Sequence, residues 1–302
     1  PGAFIPQFIG KIYINRAKKI ENNHREVIHI KAKKGVCLSA GGFIFNQAMV
    51  KENAPKYIKG MPLGNSHDTG SGIRLGQSVG GKTDHMSRVT AWRMLNPPMS
   101  FSKGIIVNKN GIRFGNEMVY GATLGDSMCE DQDGKAYLIL DKTLYSNAKK
   151  EAVKALPFQR DSARVLMLFN AKKRSTLKEL AKIYQLNETN LTESISKYNS
   201  AANGKIDCEF LKSSKDMHQL EPPFYIMDIS IDSAMAPLPC LTLGGLKVNE
   251  ETGEVLDQSN QEIKGLYAAG RTAVGICSNI YVSGLSIADC IFSGRRIGQN
   301  LK

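Results

Sequence analysis

The chain has 302 residues, 42% hydrophobic and 23% charged, a length that allows two cores and a composition typical of globular rather than disordered proteins. Lys and Arg number 40 against 28 Asp and Glu, a net charge of +12, but they lie in short clusters such as Lys18-Lys19, Lys33-Lys34 and Lys149-Lys150. With no finger, helix-turn-helix or aromatic-basic repeat beside them, they read as a solvated surface, and no nucleic-acid partner and no transmembrane segment is expected.

In chain order, Val27 to Ile30 and Val36 to Ser39 read as strands, the second running into Ala40-Gly41-Gly42-Phe43. Residues 44–60 and Gly72 to Val79 read as helices. Gly104 to Phe114 has two β-rich runs about an Asn-Gly turn, a hairpin signal. Helices are expected over Lys142 to Ala155, Thr176 to Tyr184 and Glu188 to Ala202, the last two capped by Ser175-Thr176 and by the 187–190 segment. An extended stretch starts at Glu221. Leu246 to Leu256 patterns as a hairpin turning at Thr252-Gly253, Gly265 to Gly270 as a short buried strand, and Gly284 to Leu301 as a helix with Arg295-Arg296 near its end. The fold class implied is α/β, with residues 1–87 and 237–302 forming one unit and 88–236 an inserted α+β domain.

Six widely spaced cysteines without a CxxC pair suggest neither a disulfide framework nor a zinc site. A reducing, cytoplasmic compartment is expected, and the basic surface is compatible with peripheral attachment to a membrane. The chain opens at Pro1, without an initiator Met or a signal-peptide pattern, and reads as a fragment.

Four segments are candidates for chemistry. Val36 to Phe43 (VCLSAGGF) and Leu266 to Gly270 (LYAAG) share a β-rich run, small residues and then glycine, which lets backbone approach a flat or phosphorylated ligand. Taken singly, each also fits an ordinary strand end. His67 to Gly81 places Gly70 and Gly72 before a helix, whose first N–H groups can hold phosphate oxygens or a ring edge. Ile280 to Cys290 (IYVSGLSIADC) sets Tyr281, Ser283 and Ser286 around Gly284 at the start of the final helix. A helix N-terminus there would stabilise negative charge arriving on an electron-accepting ring. His67 reads as a turn-stabilising residue, Asp68 and Asp289 as caps, and Tyr137, Tyr145 and Tyr267 as packing residues.

In this order, AGGF, TGSGIRLGQ, RFGNE (Arg113 to Glu117), TLGGLKVN (Thr242 to Asn249) and GLYAAG resemble the flavoprotein family of fumarate reductases and 3-ketosteroid dehydrogenases. The resemblance implies a Rossmann-like FAD-binding domain, here partial, with an inserted capping domain over the flavin. It also implies an amino-terminal GxGxxG turn for the ADP half of FAD, and no such turn follows Phe8-Ile9-Gly10. The cofactor-binding residues implied are Ser39, Ala40, Gly41, Gly42, Thr69, Gly70, Gly72, Ala269, Gly270, Arg271, Ser286 and Ile287. Arg271 departs from the acidic residue that many relatives carry after GLYAAG.

Fumarate reductases of the family place cations after RFxNE, before TMGG and within GANRLGG. Here the corresponding stretches are Met118-Val119-Tyr120-Gly121, Pro239-Cys240-Leu241-Thr242-Leu243 and Asn279-Ile280-Tyr281-Val282-Ser283-Gly284. A dicarboxylate would lack its counter-charges there. The replacements are similar to those of ketosteroid dehydrogenases, above all the branch that forms the 4-ene. That resemblance assigns Tyr281 and a backbone N–H near Gly284 to the substrate ketone, Ser283 and Tyr120 to the route of the departing proton, and a hydride to flavin N5. The expected partners are a small apolar ketone and an unidentified electron acceptor. A reductase of another enone or unsaturated acid is the alternative enzyme, and an inactive truncated binding module the alternative of another class.

Overall fold

The computed structural model describes residues 7–23 and 26–301 and divides into two compact units, residues 1–35 and 36–302. In the first unit, α1 (Gln7–Asn23) is followed by irregular chain. The strand expected over Val27 to Ile30 does not form. A strand needs a partner for its backbone groups, and these residues belong to no sheet and leave Val27, Ile28 and Ile30 exposed.

The second unit opens with β1 (Val36–Leu38) and α2 (Gln47–Asn53), which is capped by the Asn46 side chain. The helix expected over 44–60 is therefore short. Pro55 lacks an N–H and biases Ala54 away from helical torsions (φ −141°, ψ 57°), so only a single tight turn follows. Next come β2 (Met61–Pro62), α3 (Ser71–Ser78), β3 (Thr83–Asp84), β4 (Val89–Ala91), α4 (Met99–Ser102) and β5 (Ile105–Val107). The hairpin expected at 104–114 closes through one bridge, Val107 to Arg113, and the Arg113 N–H donates to the Ser194 hydroxyl at 3.1 Å instead of to the facing run.

Two elements that the pattern reading did not resolve follow: α5 (Gly121–Asp131) and β6 (Tyr137–Asp141). A five-residue run buried on every side chain has no period-2 alternation to betray it. Then come α6 (Lys142–Ala152), three residues shorter than expected, α7 (Pro157–Val165), β7 (Lys172–Arg174), α8 (Leu177–Ile183, capped by Thr176) and α9 (Glu188–Ala202, capped by Asn187). The chain ends with β8 (Phe224–Asp228), β9 (Pro239–Thr242), β10 (Gly245–Leu246), β11 (Glu254–Leu256), β12 (Glu262–Ala268) and α10 (Leu285–Asn300).

The sheets have the orders β1-β12-β11, β10-β3, β2-β9-β4 and β5-β6-β8-β7. Strands β1 and β12 run parallel, with Val36 opposite Leu266 and Leu38 opposite Ala268. The Leu246–Leu256 hairpin is held by the Val248–Val255 bridge, with Gly253 at φ +80°. The large core runs from Phe43 and Ile73 through β5, β6 and β8 to α9, and a second cluster of Leu38, Leu246, Val255 and Ala268 lies under β1 and β12. Tyr137 stacks on Tyr184 and Tyr145 on Tyr225, centroids 4.6 and 4.0 Å apart, and Tyr267 is buried.

The last helix forms as expected, but with polar residues on its buried side. Its buried residues are Asp289, Ser293 and Ile297, whereas the apolar Ile287, Ile291 and Phe292 face outward. No helix among the described residues is long and apolar enough to cross a membrane.

Candidate functional site

Adjacent parallel strands β1 and β12 both end in small residues, so two turns emerge side by side. Ala269 N–H donates to Leu38 O at 3.0 Å, and Gly70 N–H to Gly42 O at 2.9 Å. The Thr272 hydroxyl donates to Gly41 O at 3.1 Å. The Gly41, Gly70 and Gly270 turns thus converge. All three glycines have positive φ (+78°, +73° and +55°), a region costly for side chains bearing Cβ. A Cβ on Gly72 would meet Ala40 and Thr272 at 3.1 and 3.0 Å, and one on Gly42 would collide with the Thr242 hydroxyl. Ser39 and Ala40 are exposed at the strand end, and the Thr69 carbonyl accepts from Asn46.

Arg271 meets a carboxylate from the neighbouring turn. Its Nη2 lies 2.6 Å from Oδ2 of the buried Asp68, which also accepts from Asn65 N–H. Asp68 is therefore a partner for Arg271 rather than a helix cap. His67 accepts its expected turn role, with Nδ1 2.8 Å from Asn65 Oδ1.

The second half of the site forms around Trp92, which pattern reading missed. Helix α5 packs so closely on β4 that a Cβ on Gly125 would overlap the Ala91 carbonyl and one on Gly121 would overlap the Trp92 indole. This packing places Tyr120, the residue before α5, against Trp92, centroids 5.6 Å apart. From the far end of the chain, Tyr281 meets the same indole edge-on at 6.1 Å. The loop carrying Tyr281 is tied down by Asn279 to His85 Nε2 (2.9 Å), by the Ser278 hydroxyl to Leu243 O (2.8 Å) and by Asp289 Oδ1 to Ile276 N–H (3.3 Å). Ser283 donates its backbone N–H to Tyr120 Oη at 2.8 Å, so it joins the cluster through backbone rather than hydroxyl.

Gly284 caps α10 at φ +90°, a conformation favouring glycine, and nothing lies within 4 Å of where its Cβ would stand. Ser286 and the exposed Ile287 are in the first turn of that helix. The sequence gives little hint of Trp92. The usable signal was its being the sole tryptophan, directly after the buried strand β4.

A model described as an FAD binding domain matches residues 10–284. The chain is 36% identical over 268 residues to a 3-oxo-5-alpha-steroid 4-dehydrogenase of Comamonas testosteroni, covering 86% of this chain and 49% of the relative. It is 27% identical to a probable fumarate reductase of Shewanella frigidimarina, over 88% of this chain and 44% of the relative. A solved 3-ketosteroid-delta4-(5alpha)-dehydrogenase of Rhodococcus jostii, in complex with 4-androstene-3,17-dione, superposes with a TM-score of 0.79 at 28% identity, covering 92% of this chain and 55% of that one. The chain thus spans about half the length of these relatives. With the family model covering most of its residues, the chain belongs to the FAD binding domain family, whose cofactor is FAD.

Proposed function

We propose that this chain forms the substrate-facing part of an FAD-dependent dehydrogenase that removes hydrogen across the carbon–carbon bond beside a flat, steroid-like 3-ketone. The observation carrying this reading is the cluster of Tyr120, Tyr281 and the Ser283 backbone around Trp92, beside the start of α10. The residues present fit an isoalloxazine ring: three converging glycine turns bring backbone to one place, and Gly284 leaves open space at the helix start. Ser39, Ala40, Gly41, Gly42, Thr69, Gly70, Gly72, Ala269, Gly270, Arg271, Ser286 and Ile287 would hold the cofactor. When bound, FAD supplies a hydride acceptor.

In this proposal, Tyr281 donates a hydrogen bond from its hydroxyl to the ketone oxygen, together with a backbone N–H near Gly284. Uncharged donors suit an oxygen that gains negative charge as the neighbouring carbon loses its proton. Tyr120 Oη accepts that proton as its own phenolic proton leaves, and the route continues outward past Ser283. The Ser283 N–H fixes the Tyr120 oxygen, which orients the relay without adding charge. The aromatic wall made by Trp92 suits a flat apolar ring system and excludes water.

The partial Rossmann-like unit (1–87 and 237–302) with an inserted 88–236 domain is part of the same proposal. Within residues 36–302 it is supported by sheet membership. The β5-β6-β8-β7 sheet lies wholly inside 88–236, and the β1-β12-β11 and β10-β3 sheets wholly outside it. The β2-β9-β4 sheet is then the junction.

The test is acceptor-coupled oxidation of a saturated 3-ketosteroid by the purified flavin-loaded protein. Turnover is expected, and Tyr281→Phe should lower kcat by roughly a hundredfold or more with unchanged flavin content. No acceptor reduction with any 3-ketosteroid, or full activity in Tyr281→Phe, would overturn the reading.

A further inference from the structure

A second feature next to Trp92 is unexplained by the proposed chemistry. Arg93 follows it directly and is 6% exposed. Its Nη2 donates to the backbone carbonyls of Ala236 and Ser230, at 2.9 and 3.5 Å, and its Nε has no partner. Among the described residues it forms no ion pair with a carboxylate, and burial pushes its pKa down to about 10. Two backbone carbonyls hold that cation at hydrogen-bond distance, and the Asp228 carboxylate acts on it only from beyond ion-pair range, an arrangement that is costly in a protein interior.

The same arginine lines a cavity of about 210 Å³. Its walls include Trp92, Phe101, Phe158, Leu166 and Met235, with Ser162 and Gln159 adding polar atoms. Trp92 therefore has two neighbours: the Tyr120 and Tyr281 rings, and this largely apolar pocket, to whose lining Arg93 contributes. A ligand presenting its ketone to the tyrosines would extend its far end past the indole into the pocket.

We infer that the Arg93 pocket binds the far end of the substrate and that this end carries a carboxylate, making the substrate class acidic, steroid-like ketones. The inference rests on the proposed function for the ketone end and adds a determinant of specificity at the other. An apolar body fills the walls, and the anion supplies the ion-pair partner in direct contact that no described carboxylate provides. Tyr281 and Arg93 then read opposite ends of one molecule that lies along Trp92.

Trp92 is the only tryptophan, so its fluorescence reports binding without turnover. The probes are a saturated flat 3-ketosteroid whose side chain ends in a carboxylate, and its methyl ester, titrated at neutral pH. The acid is expected to bind at least about tenfold tighter, the scale of one charge-assisted hydrogen bond. Ser162→Glu, at an exposed position on the pocket wall, should weaken the acid and leave the ester unchanged. Arg93→Met should bring the two affinities together.

Because Arg93 is buried, the unmodified chain and Ser162→Glu decide the matter if Arg93→Met does not fold. Equal affinities of acid and ester, failure of both to bind, or indifference of acid binding to Ser162→Glu would overturn the inference. Equal binding accompanied by turnover of the neutral ester would do so while leaving the proposed dehydrogenation intact.

Discussion

Glu117 is the most consequential single residue outside the candidate site. Its side chain is fully buried between Arg113 Nη2 and Lys212 Nζ, each 2.8 Å from Oε2. It also accepts from Ile106 N–H, while Lys212 donates to the carbonyls of Ser102 and Gly104. Burial opposes its ionisation, but the two cations outweigh burial and hold its carboxyl below the ordinary glutamate value. A carboxyl with a depressed folded pKa contributes its stabilisation in full above the unfolded value and loses it as pH falls through the folded one. Glu117's contribution should therefore begin to fall as pH drops below the usual glutamate range and be gone below its lower folded value. Glu117→Gln leaves two buried cations without their anion, and a loss of about 3–5 kcal/mol is expected from urea unfolding at pH 7. The same network reaches Cys208, whose Sγ lies 3.2 Å from Arg113 Nη1. Burial raises that thiol's pKa, yet the Arg113 donation and the Phe210 and Lys212 backbone N–H groups prevail and place it below the ordinary value. Alkylation by iodoacetamide with peptide mapping should find Cys208 modified at lower pH than Cys37, which burial pushes the other way.

At the scale of elements, the start of α10 depends on one torsion. Gly284 sits at φ +90°, ψ −25°, so Gly284→Ala meets no neighbouring atom but must adopt backbone torsions costing about 1–2 kcal/mol. The expected result is a melting temperature lower by a few degrees, with turnover falling further than stability because Tyr281 and Ser283 precede this turn. Thermal unfolding and kcat measured on the same preparation check both. Such glycine positions were legible in the sequence because a residue without Cβ is what a positive φ demands, and the capped helices α8 and α9 were legible from Thr176 and Asn187. Helix α5 was not, since its closest approach to the β4 strand and Trp92 is made through Gly121 and Gly125, whose role is defined by that neighbour rather than by hydrophobic period. The Val27 to Ile30 stretch shows the converse: β-rich residues make a strand only where a partner exists.

On the scale of the whole molecule, what sequence conveyed was local and what it concealed was convergence. The turns at Gly41, Gly70 and Gly270 were each readable, as was Tyr281 by resemblance, but nothing local places Trp92 between Tyr120 and Tyr281 or sets Asp68 against Arg271. Those contacts join residues far apart in the chain and depend on sheet order. The same distance between pattern and packing explains α10. Apolar residues at helical spacing suggest a core-facing stripe, yet Ile287, Ile291 and Phe292 are 68%, 58% and 51% exposed while Asp289 and Ser293 are buried. A contiguous apolar surface of this kind attracts apolar solutes, so the chain should bind a hydrophobic dye such as anilinonaphthalene sulfonate with its native circular dichroism intact. Ile291→Lys removes apolar area from a face that contributes nothing to the core. It should lower dye fluorescence severalfold without lowering the melting temperature, whereas a fall in both would show that Ile291 supports the fold and that the helix packs differently.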